Sequence, residues 1–471
     1  MAQGKLINFI KNISYTFSSN ILSMIISSIV VLIIPRFIGV DAYGYYQLYV
    51  FYTSYVGVSY LGWCDGIYLR QGGKYYKELD RSIHATQFWM LGLFELAVYC
   101  IIFTSAVFIV DDVNKEYVIL FTCIAAIAMC LRWFTTFILQ AVAKIKEYAV
   151  VTISERIIFV ICAVLLIAFG YRQFHLLIAV DVMAKFISLF IGMKYCKEVI
   201  FAKLLPLKKV FGEIKENIKA GFQLMLASLC SMLIIGVIRF GVQLHWDIET
   251  FSKVSLTLSI SNIIMSAIGA IAVVLYPTLR RTSAEQLPRL YSIMRIVLMG
   301  LVFGGLIFYY PAQRILSVWL PQYRESLIYA AILFPVCAYE SKMSMLVNTY
   351  YKTLRMENLL MKCNMSALLL SVICTVLATL VFDSVILTIL SILIVLIFRC
   401  VLSELILSKH IEIHVMHDVI LEICMTIAFI ICSWFFGAIG MAMYAGCYVI
   451  YLVIKRKDIK ATFDFINAVR G

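Results

Sequence analysis

The sequence predicts an all-α polytopic membrane protein with about 14 transmembrane helices. Of the 471 residues, 63% are hydrophobic and only 14% are Asp, Glu, Lys or Arg, whereas soluble domains carry about 25% charged residues. The mean hydropathy is accordingly +0.95. A net charge of +13 would suggest a nucleic-acid partner for a soluble protein. Here the basic residues lie between apolar runs, as at the cytoplasmic ends of membrane helices, so no nucleic-acid partner is expected.

The apolar runs supply the helix count, because one helix needs about 20 apolar residues to cross the hydrocarbon core. The runs fall near residues 13–34, 44–64, 88–110, 117–140, 149–169, 174–193, 218–241, 254–276, 291–310, 326–348, 358–382, 384–407, 420–436 and 438–454. The last two are shorter than most of the others and are separated by Gly437.

The distribution of basic residues predicts the orientation of these spans. With the N-terminus placed in the cytoplasm, the inner segments contain 26 Lys and Arg and the outer segments contain six. If one of the first twelve spans were not a true span, every later loop would move to the opposite side of the membrane, and the excess of basic residues in the inner segments would disappear. Both termini are therefore expected in the cytoplasm. The outer loops are short, which leaves little room for the acceptor site of a membrane glycosyltransferase or polymerase.

Two halves of the chain open with similar segments, "IIPRFIGVDAYGYYQL" (33–48) and "GVIRFGVQLHWDIETFSKVSL" (236–256). Each segment opens a block of six spans, and the basic linker Lys194–Lys219 separates the blocks. Blocks with an even number of spans are parallel repeats, with substrate expected between them. The predicted domains are an N-lobe with its linker (1–205), a C-lobe (206–410), and two further helices with a basic tail (411–471).

Four segments carry a resemblance to a known family: "PRFIGVDAYGYYQLY" (35–49), "GWCDGIYLRQGGKYY" (62–76), "VLYPTLRRTSAEQLPRLY" (274–291) and "VNTYYKTLRMENLLMKC" (347–363). In this order they are similar to the Wzx-type oligosaccharide repeat-unit flippases of the multidrug/oligosaccharidyl-lipid/polysaccharide exporter (MOP) superfamily. The similarity covers nearly the whole chain. The related peptidoglycan-precursor flippases carry charged residues in the first span, where this chain has Ser18, Ser19 and Asn20.

The resemblance implies two six-helix lobes in a MATE-like V arrangement, followed by two C-terminal helices. It implies carriage of an undecaprenyl-diphosphate-linked oligosaccharide to the outer leaflet of the bacterial cytoplasmic membrane, by alternating access, for O-antigen, capsule or exopolysaccharide biosynthesis. The expected partners are this lipid-linked glycan, membrane lipids, and a polysaccharide polymerase with its chain-length regulator. No enzyme activity and no cofactor are expected, and the chain has no G-x-x-x-x-G-K-[ST] phosphate loop.

Charged residues inside the apolar runs are the candidate functional residues, because each is costly to bury in hydrocarbon. Arginine does not deprotonate in proteins, so it must meet water, a carboxylate or a phosphate. The predicted substrate-binding residues are Arg132, Arg156, Lys185, Lys342 and Arg399 for the diphosphate, with Ser18, Ser19, Asn20 and Gln223 for the sugar. The unranked candidates for ion coupling are Glu95, Glu155, Asp181 and Glu340.

Structural interpretations compete with these roles. Asp181 and Lys185 are spaced i,i+4 and can neutralise each other. Glu155 and Glu340 are possible partners for arginines on other helices. Glu340 and Lys342 point in nearly opposite directions on a helix and are expected to face a wet chamber. The remaining charges fall nearer the helix ends, where Arg295 is expected to extend to the interface and Glu404 and Glu422 are expected to be hydrated.

Three other functions stay open at this point. A multidrug/cation antiporter of the same superfamily should have an acidic or apolar cavity, so the embedded arginines count against it. A membrane-embedded glycosyltransferase or polymerase is opposed by the short outer loops. The third alternative is a structural membrane protein that transports nothing. It would not explain why charged residues are embedded in both halves of the chain.

Overall fold

The computed structural model describes residue 26 and residues 28–263 and 284–461, and every regular element within them is helical. The chain divides into two compact units, Met1–Leu229 and Cys230–Gly471. The first unit contains α1 (Ser28–Phe37), α2 (Val40–Ser54), α3 (Trp63–Gln71), α4 (Arg81–Ile109), α5 (Val113–Ala141), α6 (Ile145–Ala168), α7 (Phe174–Tyr195), the short α8 (Lys197–Ile200) and the beginning of α9 (Leu207–His245).

The second unit contains the end of α9 and seven further long helices. These are α10 (248–263 as described), α11 (Leu287–Trp319), α12 (Ser326–Thr353), α13 (Glu357–Val381), α14 (Val385–His410), α15 (Met416–Phe435) and α16 (Gly437–Ile454), and residues 456–461 are also helical. Single 3₁₀ turns lie at Val56–Val58, Tyr76–Glu78, Ala284–Gln286 and Pro321–Tyr323.

The predicted all-helical membrane fold is confirmed. Ten helices in the described ranges are long and apolar enough to cross a membrane: α4 to α7, α9 and α11 to α15. They coincide with predicted spans three to seven and nine to thirteen. Of the other four, spans one and eight fall partly outside the described residues, and span fourteen corresponds to the shorter α16. The count of 14 is therefore approximate.

The second predicted span, 44–64, is not one continuous helix. It is interrupted by the break segment, residues 55–62, which holds a 3₁₀ turn and ends with Leu61 at φ 51° and Gly62 at φ 80°. A left-handed pair of residues cannot continue a right-handed helix, and glycine adopts this conformation without steric cost. Irregular backbone at membrane depth is tolerated where protein encloses it. Val56 and Tyr60 of the break segment are both buried.

Glycines allow α3 and α9 to touch through their backbones. A Cβ placed on Gly66 would lie 1.8 Å from the carbonyl oxygen of Asn217, and one on Gly221 would lie 2.0 Å from that of Gly62. Small residues four apart permit this kind of close crossing in membranes. The indole of Trp63 and the Asn217 amide both donate to Oε1 of Gln87, each at 2.9 Å, which holds the crossing against α4.

Two irregularities shape α12 around its charged residues. Pro335 lacks the N–H that would continue the helix, and the chain turns there between two helical segments. A π-helical turn, Met343–Val347, begins immediately after Lys342. Such turns insert one extra residue and rotate the helix beyond them, and they concentrate at functional sites.

We predict that Gly221→Ala destabilises the protein, because its methyl group would overlap the backbone of α3. Forced overpacking of this kind costs about 1–3 kcal/mol, so the melting temperature of the purified protein in detergent should fall. Gly212→Ala on the same helix is the matched control, since a Cβ there meets open space. Alanine favours a helix interior by about 1 kcal/mol over glycine, so this variant should melt at the same temperature or higher. Equal melting of the two variants would contradict the crossing.

Candidate functional site

The first unit contains a group of mid-helix charges, the N-unit cluster, formed by Arg132, Glu155, Asp181 and Lys185. Nη1 of Arg132 on α5 lies 3.0 Å from Oε2 of Glu155 on α6. Nζ of Lys185 on α7 lies 3.5 Å from Oε1 of Glu155 and also pairs with Asp181 one turn earlier. The four side chains are 8–13% exposed. Two cations and two carboxylates thus tie α5, α6 and α7 together.

Neighbouring groups extend the N-unit cluster on two sides. The Tyr49 hydroxyl on α2 donates to Oδ2 of Asp181 at 2.6 Å, and Nζ of Lys185 lies 5.7 Å from the centre of the Tyr49 ring. Arg156 follows Glu155 on α6, interacts with it electrostatically, and is exposed. Nε of Arg132 is buried and has no hydrogen-bond partner among the described residues. The cluster together with Arg156 therefore carries one more cation than carboxylates.

The second unit contains a more deeply buried group, the C-unit cluster, formed by Arg295, Lys342, Glu404 and Glu422. Nζ of Lys342 lies 2.5 Å from a carboxylate oxygen of each glutamate. Arg295 lies 2.7 Å from Glu404 through Nε and 2.8 Å from Glu422 through Nη2. No side chain of the four is more than 4% exposed. Four helices, α11, α12, α14 and α15, meet at these two cations and two carboxylates.

The C-unit cluster continues toward the end of α16 without any surplus of positive charge. Arg295 also pairs with Asp418, which in turn pairs with Lys455. Nζ of Lys455 lies 2.8 Å from Asp458. The hydroxyl of Tyr291 donates to Glu404 at 2.9 Å. In this extended group the three cations face four carboxylates.

Arg399 on α14 forms a third site in which each of its nitrogens has a partner. Nε donates to the Asn364 amide oxygen at 2.9 Å, Nη1 to Oε1 of Glu340 at 3.0 Å, and Nη2 to the Ser231 hydroxyl at 3.0 Å. The Arg399 side chain is 5% exposed, whereas that of Glu340 is 23% exposed. Arg399 therefore connects α9, α12, α13 and α14 within the second unit.

The structure resolves several alternatives that the sequence left open. The Asp181–Lys185 pair forms, and Glu155 and Glu340 partner arginines on other helices. Glu340 and Lys342 reach different partners, as their spacing predicts.

Other expectations are wrong. Arg295, Glu404 and Glu422 are not exposed near the helix ends, and Lys342 does not face a wet chamber, because all four side chains are at most 4% exposed. The reason is the same for all four: each side chain forms an ion pair with an opposite charge on a helix distant in sequence, and this pairing stabilises the buried charge.

The remaining predicted residues are spread over the chain. Gln223 is exposed on α9, and Glu95 is fully buried on α4 beside the break segment. The predictions on Ser18, Ser19 and Asn20 lie outside the described residues. Sequence reasoning missed the part that Tyr49 and Asn364 play, because nothing in their local pattern indicates a charged partner more than 30 residues away.

The three charged sites differ in what they can bind. An anion that approaches the C-unit cluster meets paired, enclosed cations and a surplus of carboxylates. At Arg399 every nitrogen already has a partner. In the N-unit cluster, counted together with the exposed Arg156, the cations outnumber the carboxylates by one. Charge-assisted hydrogen bonds from guanidinium groups are the strongest that proteins offer to phosphate.

We predict that Lys342→Met strongly destabilises the second unit, because it leaves Glu404 and Glu422 with one cation fewer in a buried site. Removing one partner of a buried ion pair costs about 3–5 kcal/mol, so the melting temperature should fall sharply. Lys352→Met is the control: this lysine lies on the same helix but is exposed. If both variants melt at the same temperature as the unchanged protein, Lys342 does not neutralise the two glutamates.

Comparisons with known proteins agree with the fold. The chain is similar to a solved structure described as "Lipid II flippase MurJ, inward closed conformation", with 13% identity and a TM-score of 0.69, covering 96% of this chain and 100% of that one. It is also similar to a structure of "a multidrug resistance MATE family transporter of the MOP superfamily" in an inward-facing conformation, with 10% identity and a TM-score of 0.60, covering 83% and 98%. At these identities the likeness shows the fold alone.

No curated protein matches the chain. A family model described as "Polysaccharide biosynthesis protein" matches residues 9–283, which is more than half of the sequence. The structural neighbours are transporters and the long helices are those of a multi-pass membrane protein. The chain therefore belongs to the polysaccharide biosynthesis protein family.

Proposed function

We propose that this protein flips an undecaprenyl-diphosphate-linked oligosaccharide from the inner to the outer leaflet of the bacterial cytoplasmic membrane by alternating access. The observation that carries the proposal is the match of the polysaccharide biosynthesis family to residues 9–283. The likeness in fold to a structure named as a lipid II flippase supports a lipid-linked cargo. The product would serve a surface polysaccharide: O-antigen, capsule or exopolysaccharide.

The N-unit cluster with Arg156 is the proposed contact for the diphosphate. A diphosphate carries negative charge and several strong acceptor oxygens, so it needs guanidinium or ammonium donors. Arg132, Arg156 and Lys185 provide three such groups against two carboxylates. Lys342 and Arg399 stay predictions as substrate-binding residues, with their donors already engaged by protein groups in this structure.

The sugar would need neutral hydrogen-bonding side chains. Gln223, which is exposed on α9, and Ser18, Ser19 and Asn20 in the first span are the proposed contacts. The polyprenyl chain would stay in the lipid bilayer, so the protein would not have to carry it through a polar environment. Both termini would lie in the cytoplasm, in keeping with 26 basic residues in the inner segments and six in the outer ones. A polysaccharide polymerase and a chain-length regulator are the proposed protein partners.

A multidrug/cation antiporter is the main alternative, because a MATE transporter shares the fold. An organic cation would favour a surplus of accessible carboxylates. The N-unit cluster has the opposite surplus, and the carboxylates of the C-unit cluster are enclosed with their cations. The charge distribution therefore favours an anionic cargo.

We predict that Arg156→Gln lowers surface polysaccharide about tenfold or more in a strain that lacks the chromosomal gene, because a lost charge-assisted hydrogen bond is worth about 1.5–3 kcal/mol. Lipid-linked repeat units should accumulate on the inner leaflet, and Arg156→Lys should restore part of the function. Arg156 is exposed, so the variant should still insert and fold.

The control for this experiment is Lys362→Gln, which removes an exposed cation from the beginning of α13. It should leave the amount of polymer unchanged. Normal surface polysaccharide with Arg156→Gln would contradict the proposed phosphate contact. Normal polysaccharide after deletion of the gene, combined with loss of drug efflux, would favour the antiporter.

A further inference from the structure

One of the six carboxyl groups that lie within the predicted apolar runs differs from the other five. Glu155, Asp181, Glu340, Glu404 and Glu422 each lie within 4.0 Å of a Lys or Arg nitrogen. No ion pair of the described residues includes Glu95, although its side chain is completely buried. A neighbouring Lys or Arg stabilises the charge of each of the other carboxylates, and Glu95 lacks such a neighbour among the described residues.

The position of Glu95 makes an unpaired charge costly. Glu95 is the central residue of α4, with 14 helical residues on each side between Arg81 and Ile109. The middle of a membrane helix is where an ionised side chain is least stable. Its Oε2 lies 2.6 Å from the hydroxyl oxygen of Ser59 in the break segment. Its Oε1 is buried and has no hydrogen-bond partner in the part of the chain that the structure describes.

A count of hydrogen atoms favours a proton on this carboxyl group. The Ser59 hydroxyl oxygen lies 2.6 Å from Oε2 of Glu95 and 2.8 Å from the carbonyl oxygen of Val56. The hydroxyl has one hydrogen and can donate it to only one of the two acceptors. If Glu95 carries a proton, the carboxyl group donates to Ser59, and Ser59 donates to Val56. Both short contacts are then hydrogen bonds.

The groups around Glu95 supply no compensating charge. The titratable groups that face it are Cys64 on α3, Tyr99 on α4 itself and Cys130 on α5. Sγ of Cys130 lies 3.7 Å from the Ser59 hydroxyl, and the Tyr99 hydroxyl lies 3.4 Å from the Val56 carbonyl. Thiols and phenols are neutral when protonated, so the surroundings of Glu95 are polar and uncharged.

We propose that Glu95 is a proton-binding site whose occupancy is coupled to the break segment. Release of the proton to water leaves a carboxylate, and the Ser59 hydroxyl rotates from the Val56 carbonyl to Oε2 of Glu95. The Val56 carbonyl begins the 3₁₀ turn Val56–Val58 and keeps the backbone N–H of Ser59 at 3.1 Å. Losing the hydroxyl weakens this turn at the point where the second span is interrupted. Proton binding therefore stabilises one conformation of the break segment.

Infrared difference spectroscopy on the full-length protein in lipid nanodiscs tests this site directly. A protonated carboxyl group gives a C=O stretching band that disappears when the proton leaves as the pH is raised. We expect such a band in the unchanged protein and its loss in Glu95→Gln, whose amide matches the shape of the neutral acid. Asp65→Asn, which removes a neighbouring carboxyl group on α3, is the matched control and should retain the band.

Ser59→Ala provides an independent measurement that does not depend on the folding of Glu95→Gln. Without its hydrogen-bond partner the acid should show a C=O band shifted to higher frequency. An unshifted band in Ser59→Ala would overturn the proposal, as would a spectrum in which Glu95→Gln loses no band.

A role for this proton in transport rests on the proposed function, whereas proton binding does not. In proteoliposomes, flipping of the lipid-linked glycan by the unchanged protein should respond to a pH gradient, and flipping by Glu95→Gln should not. Absence of flipping by any variant, with the infrared band present, would count against the proposed function and leave the proton site intact. Equal response of both proteins to the gradient would overturn the coupling.

Discussion

The packing of the helices within each unit depends on how buried positive charge is neutralised. A cation at the centre of a membrane helix costs about 2.5–3.5 kcal/mol on insertion scales, and arginine cannot avoid this cost by losing its proton. In the described residues Arg132, Arg295, Lys342 and Arg399 each lie beside a carboxylate from another helix. These pairs connect helices far apart in sequence, so they determine which helices pack together within each unit.

The degree to which each charged group is neutralised by its neighbours also separates groups that maintain the structure from groups that suit a function. In the buried C-unit cluster each cation lies within 4.0 Å of both glutamates, which suits a rigid connection between four helices. The N-unit cluster together with the exposed Arg156 carries one more cation than carboxylates, which suits the anion contact proposed above. Glu95 is buried and forms no ion pair in the described part of the chain, which suits the proposed proton site. The proposed anion contact and the proposed proton site thus both lie in the first unit.

Sequence reasoning predicted the helices well because hydropathy and length depend on local composition. It failed where partners are remote. Glu404 and Glu422 lie near helix ends, and nothing in their neighbourhood reveals that Lys342, 62 and 80 residues earlier, neutralises both. The break in the second span was missed because residues 55–62 are as apolar as a helix. Gly57 and Gly62 are a signal for it in retrospect, since a left-handed residue is needed where α3 begins.

The most direct test of the central claim is a double-mutant cycle on Arg399 and Glu340, because each forms an ion pair only with the other among the described residues. The free energy of unfolding in bicelles would be measured for Arg399→Met, Glu340→Gln and the double variant. If neutralisation holds the helices together, the double variant should be less destabilised than the sum of the single variants, with a coupling energy of about 1 kcal/mol or more. Additivity within about 0.5 kcal/mol would show that the two charges do not stabilise each other.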